Sequence, residues 1–279
     1  MVPRFALSII IALLVSVSVG SVSASVSDAT SAEEQWFIYE LNRARANPAL
    51  YGETYGFRLD LPPSPPLAVN ADLASSTGFK ADELLSGSYC GHRSPLTGVW
   101  PTQLARDFGF PLPDWWDGDT NYVEAIWCSN GEKAPATPQL ILGSHSGPHI
   151  AHLLGQGLWI DHHEVGVGIT RDPSRGVVLI LHTGMREPTA PFVTGVVFDD
   201  VDGDGIMDLG EGLAGVEVTV GNTSTITNAG GGYAVLTAAG AYEASIPGTA
   251  SVHVLVSTDN VGVDFRKAPF GANAPNLPF

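Results

Sequence analysis

The chain has 279 residues, enough for one large domain or two ordinary ones and too many for a lone disulfide-held mini-protein. Hydrophobic residues at 44% against 15% charged, with 6 Trp, 7 Tyr and 11 Phe, exclude wholesale disorder, while 32 Gly and 20 Pro call for short helices and many connections. A formal charge of −16 repels phosphate backbones, which excludes nucleic acid as a partner and suits a surface that gathers cations.

In chain order, residues 1–24 read as an export leader. Arg4 precedes an apolar run from Phe5 to Val19, and Val22-Ser23-Ala24 supplies the small residues at a cleavage point after Ala24. A membrane anchor is the competing reading, but about 15 apolar residues fall short of the ~20 that span a bilayer. The mature chain is therefore expected outside the cytoplasm without a transmembrane anchor. There thiols oxidise, so Cys90 and Cys128 are expected to pair. Without a C-x-x-C spacing they make a poor zinc site, whereas a disulfide closing a loop of about 40 residues contributes roughly 3 to 4 kcal/mol.

Ser31 and Glu34 form a capping box ahead of Phe37, Leu41 and Ala44, which share one helical face until Pro48 stops the run. Asn70 caps a second helix carrying Leu73, Thr77, Ala81 and Leu84, with Gly87 beyond it. Residues 101–108, 138–142 and 148–154 each begin with Pro and are followed by Gly109, Gly143 and Gly155, giving five short helices in all. Val165, Val167 and Ile169 then alternate, and after an Asp172-Pro173 turn the run from Val177 to Leu181 is apolar throughout, as in a buried central strand, so the first domain mixes helices with antiparallel strands. Prolines 188 and 191 mark a boundary. Beyond it, β-runs at 193–198, 216–220, 233–236, 242–246, 252–256 and 261–265 predict a small sandwich. The expected fold class is thus α+β followed by all-β. The expected units are the leader 1–24, a first domain 31–185, a linker 186–191, a β-sandwich 192–267 and a flexible tail 268–279.

Asp200, Asp202, Asp204, Gly205, Asp208 and Glu211 occupy positions 1, 3, 5, 6, 9 and 12 of a D-x-D-x-D-G loop. Three carboxylates at alternate positions converge, Gly205 permits the turn, Ile206 can lend its carbonyl and Glu211 can close the shell, so hard oxygen ligands select Ca²⁺. Because strands flank the loop, it is not an EF-hand. The stretch VTGVVFDDVDGDGIMDLGEGLAGVEVTV, with TNAGGGYAVL and NVGVDF after it, resembles the B-type β-sandwich repeats of bacterial surface adhesins over about 75 residues. That resemblance implies a spacer or adhesive module whose metal braces the fold.

Six of the eight histidines lie before residue 164: His92, His145, His149, His152, His162 and His163. His149 and His152, three apart on a predicted helix, can present two imidazoles to one ion such as Zn²⁺, with Glu124 completing or orienting the site. The pair is equally a packing feature. The segments ELNRARANPALYG, LAVNADL, YCGHRSP, VEAIW, SGPHIAHLL and EVGVGI resemble, in order, the CAP superfamily of cysteine-rich secretory, antigen-five and pathogenesis-related proteins, across about residues 34–184.

The resemblance implies a three-layer α-β-α sandwich with a cleft where two histidines and two acids meet. Carried over residue by residue, His92 and His149 match the two histidines and Glu124 matches one acid. Gln139 stands where the second acid belongs, and Ile150 replaces the usual arginine. His145 or His152 could substitute as a neutral ligand, biasing the site towards zinc. The Cys90–Cys128 bridge would tie together the segments bearing His92 and Glu124. Trp100, Trp115, Trp116 and Trp127 crowd the same region, either as core or as a stacking platform for sugar or lipid.

These features lead to an exported, non-catalytic CAP protein whose cleft takes a lipid, sterol or glycan ligand or a metal, joined to a calcium-braced module and acting on cell-envelope or extracellular partners. One alternative is a metal-assisted hydrolase with Glu124 as general base; another is a structural adhesin. Residues 143–147 place His145 where G-x-S-x-G needs Ser, and His163-Glu164 lacks the second His of H-E-x-x-H, so neither hydrolase motif is present.

Overall fold

The structure, a computed structural model, describes residues 30–129, 137–144 and 147–267. The predicted leader, the tail 268–279 and His145 lie outside the described residues. What is described is mixed α+β, with six α-helices and several sheets.

Helix α1 (Ala32–Ala46) starts on the expected capping box, with Ser31 Oγ accepting from the Glu34 amide and the Glu34 carboxylate accepting from the Ser31 amide at 2.7 Å. Pro48 does end it, yet the same residue opens α2 (Pro48–Tyr55), a helix the sequence reading missed; Asn47 caps it by accepting from Leu50 N at 3.1 Å. β1 (Ala68–Val69) leads into α3 (Ala71–Gly87), capped by Asn70 as predicted. Then follow α4 (Pro101–Asp107), β2 (Glu124–Ser129), α5 (Pro138–Ser144), α6 (Gly147–Leu153), β3 (Glu164–Asp172) and β4 (Gly176–Gly184).

The first sheet runs β1-β3-β4-β2, antiparallel except for the β1/β3 pair. Its two faces separate by residue parity. Ala125, Val165, Val167, Leu179 and Leu181 pack with Phe37, Ile38 and Leu41 of α1, Leu142 of α5 and Leu153 of α6. Val178 and Ile180 pack with Ala81 and Leu84 of α3 on the other face. The glycines between the β3 valines let α3 approach: a Cβ on Gly166 would lie 2.1 Å from the Leu73 carbonyl carbon, and one on Gly168 2.4 Å from the Thr77 backbone. Helices therefore cover both faces of this sheet.

The later strands are β5 (Phe192–Asp199), β6 (Glu217–Val220), β7 (Thr223–Ile226), β8 (Gly232–Leu236), β9 (Gly240–Ser245), β10 (Val252–Val256), β11 (Val261–Gly262) and β12 (Phe265–Lys267). One sheet runs β10-β9-β6-β7; the other sets β5 between β11 and β12, with β8 paired to β5 as well. Val193, Val218, Tyr233, Val254 and Phe265 fill the space they enclose. These strands also rest directly on α1. Asn228 donates to Gln35 at 2.8 Å, Tyr39 Oη accepts from Met207 N at 3.1 Å, and Tyr39 shares a cluster with Val196, Phe198 and Met207. Gly232 lies tight against that helix, where a Cβ would fall 1.9 Å from Gln35 Oε1 and the Gln35 side chain would have to move. Asn260 adds bonds to the carbonyls of Pro66 and His163 at 2.9 and 2.6 Å.

Candidate functional site

Glu124 is the first residue of β2 and stands opposite His182 of β4 in the strand register. Both side chains point to the α3 face. The buried Glu124 carboxylate is held between two imidazoles, Oε1 2.9 Å from His92 Nδ1 and Oε2 3.0 Å from His182 Nε2. Burial by itself would raise its pKa, but the hydrogen bonds of His182 and His92 and the charges of His182 and Lys80 outweigh that and hold the carboxyl below its ordinary value. An ionised carboxylate only accepts, so His92 Nδ1 carries a hydrogen and, in the neutral ring, Nε2 presents a lone pair. His92 is the member that reaches solvent, its side chain 39% exposed against 0% for Glu124 and His182.

Three supports hold this geometry. Asn121 accepts from Glu124 N at 2.8 Å and donates to Glu124 O at 3.0 Å, which fixes the entry to β2. Cys90 and Cys128 are disulfide-bonded, as expected, across a Cα distance of 6.3 Å. The loop bearing His92 is also pinned to α3, where buried Lys80 donates to Tyr89 Oη at 2.8 Å and Glu83 accepts from Leu96 N at 2.8 Å.

His182 and Ser76 are site residues that sequence reading missed. Ser76 Oγ lies 2.8 Å from His182 Nδ1 and 2.8 Å from the Leu73 carbonyl. Its single hydrogen can turn to either neighbour, so this hydroxyl satisfies His182 with or without a proton on Nδ1.

The expected four-residue cleft is not assembled. His92 and Glu124 meet, but His149 lines a small apolar cavity with Phe37, Ala125, Trp127, Leu153, Leu179 and Leu181, on the α1 face of the sheet. His152 is buried on that same face, with Nε2 2.7 Å from Thr183 Oγ1. Gln139 bonds Glu40 of α1 at 3.0 Å. The reason is parity: residues 124 and 182 point towards α3, whereas α6 rides on the side of residues 125, 127, 179 and 181. Glu124 is equally unsuited to the general-base role, because both its oxygens are engaged and its basicity is lowered. Trp116 and Trp127 pack inward, while Trp115 is exposed.

Among the described residues, the one group of three or more metal-type side chains close enough to share an ion is Asp200, Asp202 and Asp204, each offering an oxygen within 4.8 Å of the others. The turn is built by its own carboxylates: Asp200 Oδ1 and Oδ2 accept from Gly203 N and Gly205 N at 3.0 and 3.2 Å, and Asp204 Oδ1 accepts from Ile206 N at 2.7 Å. Glu211 differs from the expectation, spending Oε1 on Val201 N and Oε2 on Asp208 N, both at 2.8 Å. Arg266 also donates to Asp200 Oδ2 at 2.7 Å. Asp208 has its pKa raised by burial and by the charges of Glu211, Asp202 and Asp204. An all-oxygen, like-charged donor set fits a hard divalent cation.

No protein-family model matches the chain, and a search of curated proteins finds no significant match. Among the described residues, no helix is long and apolar enough to cross a membrane.

Proposed function

We propose that the chain is an exported, non-catalytic binding protein: a CAP-type domain over 31–185 whose ligand meets the exposed edge of His92, fixed to a β-sandwich over 192–267 that Ca²⁺ braces. One observation carries the reading. His92 and Glu124 come from two short motifs placed in order by the CAP resemblance, and they are hydrogen-bonded at 2.9 Å with a disulfide two and four residues away. Helices on both faces of a largely antiparallel sheet support the same assignment.

Calcium is proposed for Asp200, Asp202 and Asp204 on the chemistry of that donor set, and it stabilises by binding the folded loop alone. Zinc in the cleft is not proposed, since His149 and His152 lie on the far face from His92. Nor is hydrolysis through Glu124. The module's seat on α1 argues for a fixed attachment rather than a loose spacer.

Elemental analysis of the mature chain, dialysed against calcium buffer, tests this. Bound calcium that disappears in Asp202→Asn with Asp204→Asn, a melting point lowered by chelator, and no zinc are expected. Stoichiometric zinc removed by His92→Ala would replace this reading with the metal-assisted hydrolase, as would peptide or ester turnover abolished by Glu124→Gln.

A further inference from the structure

Beside the His92 loop, large apolar side chains stand in solvent. Leu158 is 79% exposed, Trp115 74%, Ile160 61% and Tyr122 37%. Trp159 belongs with them, since its Nε1 donates to the Tyr122 carbonyl at 3.1 Å and Leu158 and Ile160 flank it in the chain. Buried Trp116 joins the group from below, its ring 5.8 Å from Trp115 and 5.3 Å from Tyr122. The ring contacts and the Trp159 bond thus connect Trp115, Tyr122 and Trp159, and exposed apolar side chains grouped in this way mark a binding face.

The face is backed by a rigid layer. Trp159 stacks on His152 at 4.9 Å with an interplanar angle of 21°, and Trp116 lies 5.3 Å from His162. Thr183 Oγ1 locks both imidazoles, 2.7 Å from His152 Nε2 and 2.6 Å from His162 Nδ1. Burial keeps both rings neutral, so the layer adds no charge to the face. Aromatic rings ordered in advance lose little entropy when a ligand lands on them.

The rim decides the chemistry. From residue 107 to 129 and from 147 to 170 the chain carries no Lys or Arg. Arg106 is spent beneath the loop, donating to the carbonyls of Pro113 and Trp116 at 2.7 and 2.6 Å. Asp114, Asp117, Asp119 and Asp161, all exposed, adjoin the apolar residues instead. This arrangement repels phosphate and sulfate. It also makes membrane insertion costly, because carboxylates beside Trp115 and Ile160 would have to leave water. A neutral polyol suits it: sugar C–H faces carry the partial positive charge that the ring faces attract, and carboxylates accept hydroxyl hydrogens.

We propose that this aromatic face binds a neutral polysaccharide. The face runs on to the cleft through Tyr122 and Asn121, whose amide nitrogen lies 3.1 Å from His92 Nδ1, so a chain several sugars long also reaches the exposed imidazole edge. In that respect the inference rests on the proposed binding cleft and names its ligand class.

The test applies the full mature chain, in calcium buffer, to an immobilised panel of neutral and anionic glycans, to phosphatidylcholine vesicles and to a lysine-rich peptide, with tryptophan fluorescence titration of whatever is retained. Expected are saturable binding of neutral glycans that is insensitive to salt, and roughly tenfold weakening in Trp115→Ala, an exposed position whose loss leaves the core intact. Trp115→Ala losing binding while His92→Ala keeps it preserves this inference and removes the cleft reading; the opposite pattern removes this inference and preserves the cleft. Retention of no glycan, or of vesicles or the basic peptide in a Trp115-dependent way, overturns it.

Discussion

Adjacent residues of β4, His182 and Thr183, point to opposite faces of one sheet, and each anchors a histidine cluster of opposite character. On the α3 side, His182 and His92 share the Glu124 carboxylate. On the α1 side, His152 and His162 share the Thr183 hydroxyl. An anion between two rings favours hydrogens on the nitrogens that face it. Where only a hydroxyl is present, burial wins and drives His162 down to about 3 and His152 well below its ordinary value. Exposure differs in parallel: His92 reaches solvent, whereas His152 and His162 are each 3% exposed. The partner and the depth, not the residue type, separate an imidazole that can meet a ligand from one that builds a platform.

The strongest way to break this contrast is Glu124→Ala. It leaves His182 buried without its charged acceptor, and urea denaturation is expected to show a loss of about 3 to 5 kcal/mol. Glu124→Gln, which keeps one acceptor oxygen, should lose clearly less. Equal losses would mean that packing rather than charge holds the cluster. Thr183→Val should come next, at about 1 to 3 kcal/mol, because one hydroxyl serves two buried ring nitrogens.

Acid separates the clusters by window. His152 and His162 are depressed below the value of 6.5 that they regain on unfolding, so the unfolded chain takes up protons first. Their contribution is complete above about pH 6.5 and is lost as pH falls, at up to ~1.4 kcal/mol per unit and per ring. Glu124 is also depressed, but from 4.5, so its share is complete above that value and is lost only as pH falls further, through its folded pKa. A melting series from pH 8 to 3 should therefore decline from about 6.5, and His162→Phe should flatten the upper part of that decline. A decline beginning only near 4.5 would mean the sealed pair does not depend on its neutral state.

The contrast also explains what could be read from the sequence. Signals confined to one turn were legible: the Ser31/Glu34 box, the Asn70 cap, the valines that alternate in β3 and the evenly spaced aspartates from 200 to 204. Pro48 was half legible, because a residue that stops one helix is also suited to start another. His182 gave no signal. It ends an apolar run, and its partner lies 58 residues away, brought opposite only by the β2/β4 register. The His149/His152 spacing placed both residues on one helix, but spacing within a helix is silent about which face of a sheet that helix covers. Trp159 was missed for a related reason, since its neighbours His152 and Tyr122 come from separate segments.

His92→Ala is the mildest change and the most discriminating. The ring is 39% exposed and gives Glu124 one of its two imidazole contacts, while His182 remains in place on the other oxygen. Removing it should cost about 1 kcal/mol, because one hydrogen bond to the buried carboxylate is lost while His182 keeps the other. Urea denaturation beside glycan titration reads both sides at once. A loss comparable to that of Glu124→Ala would put His92 in the scaffold with His182, and the α3-side cluster would then be as purely structural as the one bound to Thr183. A small loss of stability with a clear loss of affinity for the longer glycans is the outcome that exposure predicts, because a ring half in water has little left to stabilise except what comes to it from outside.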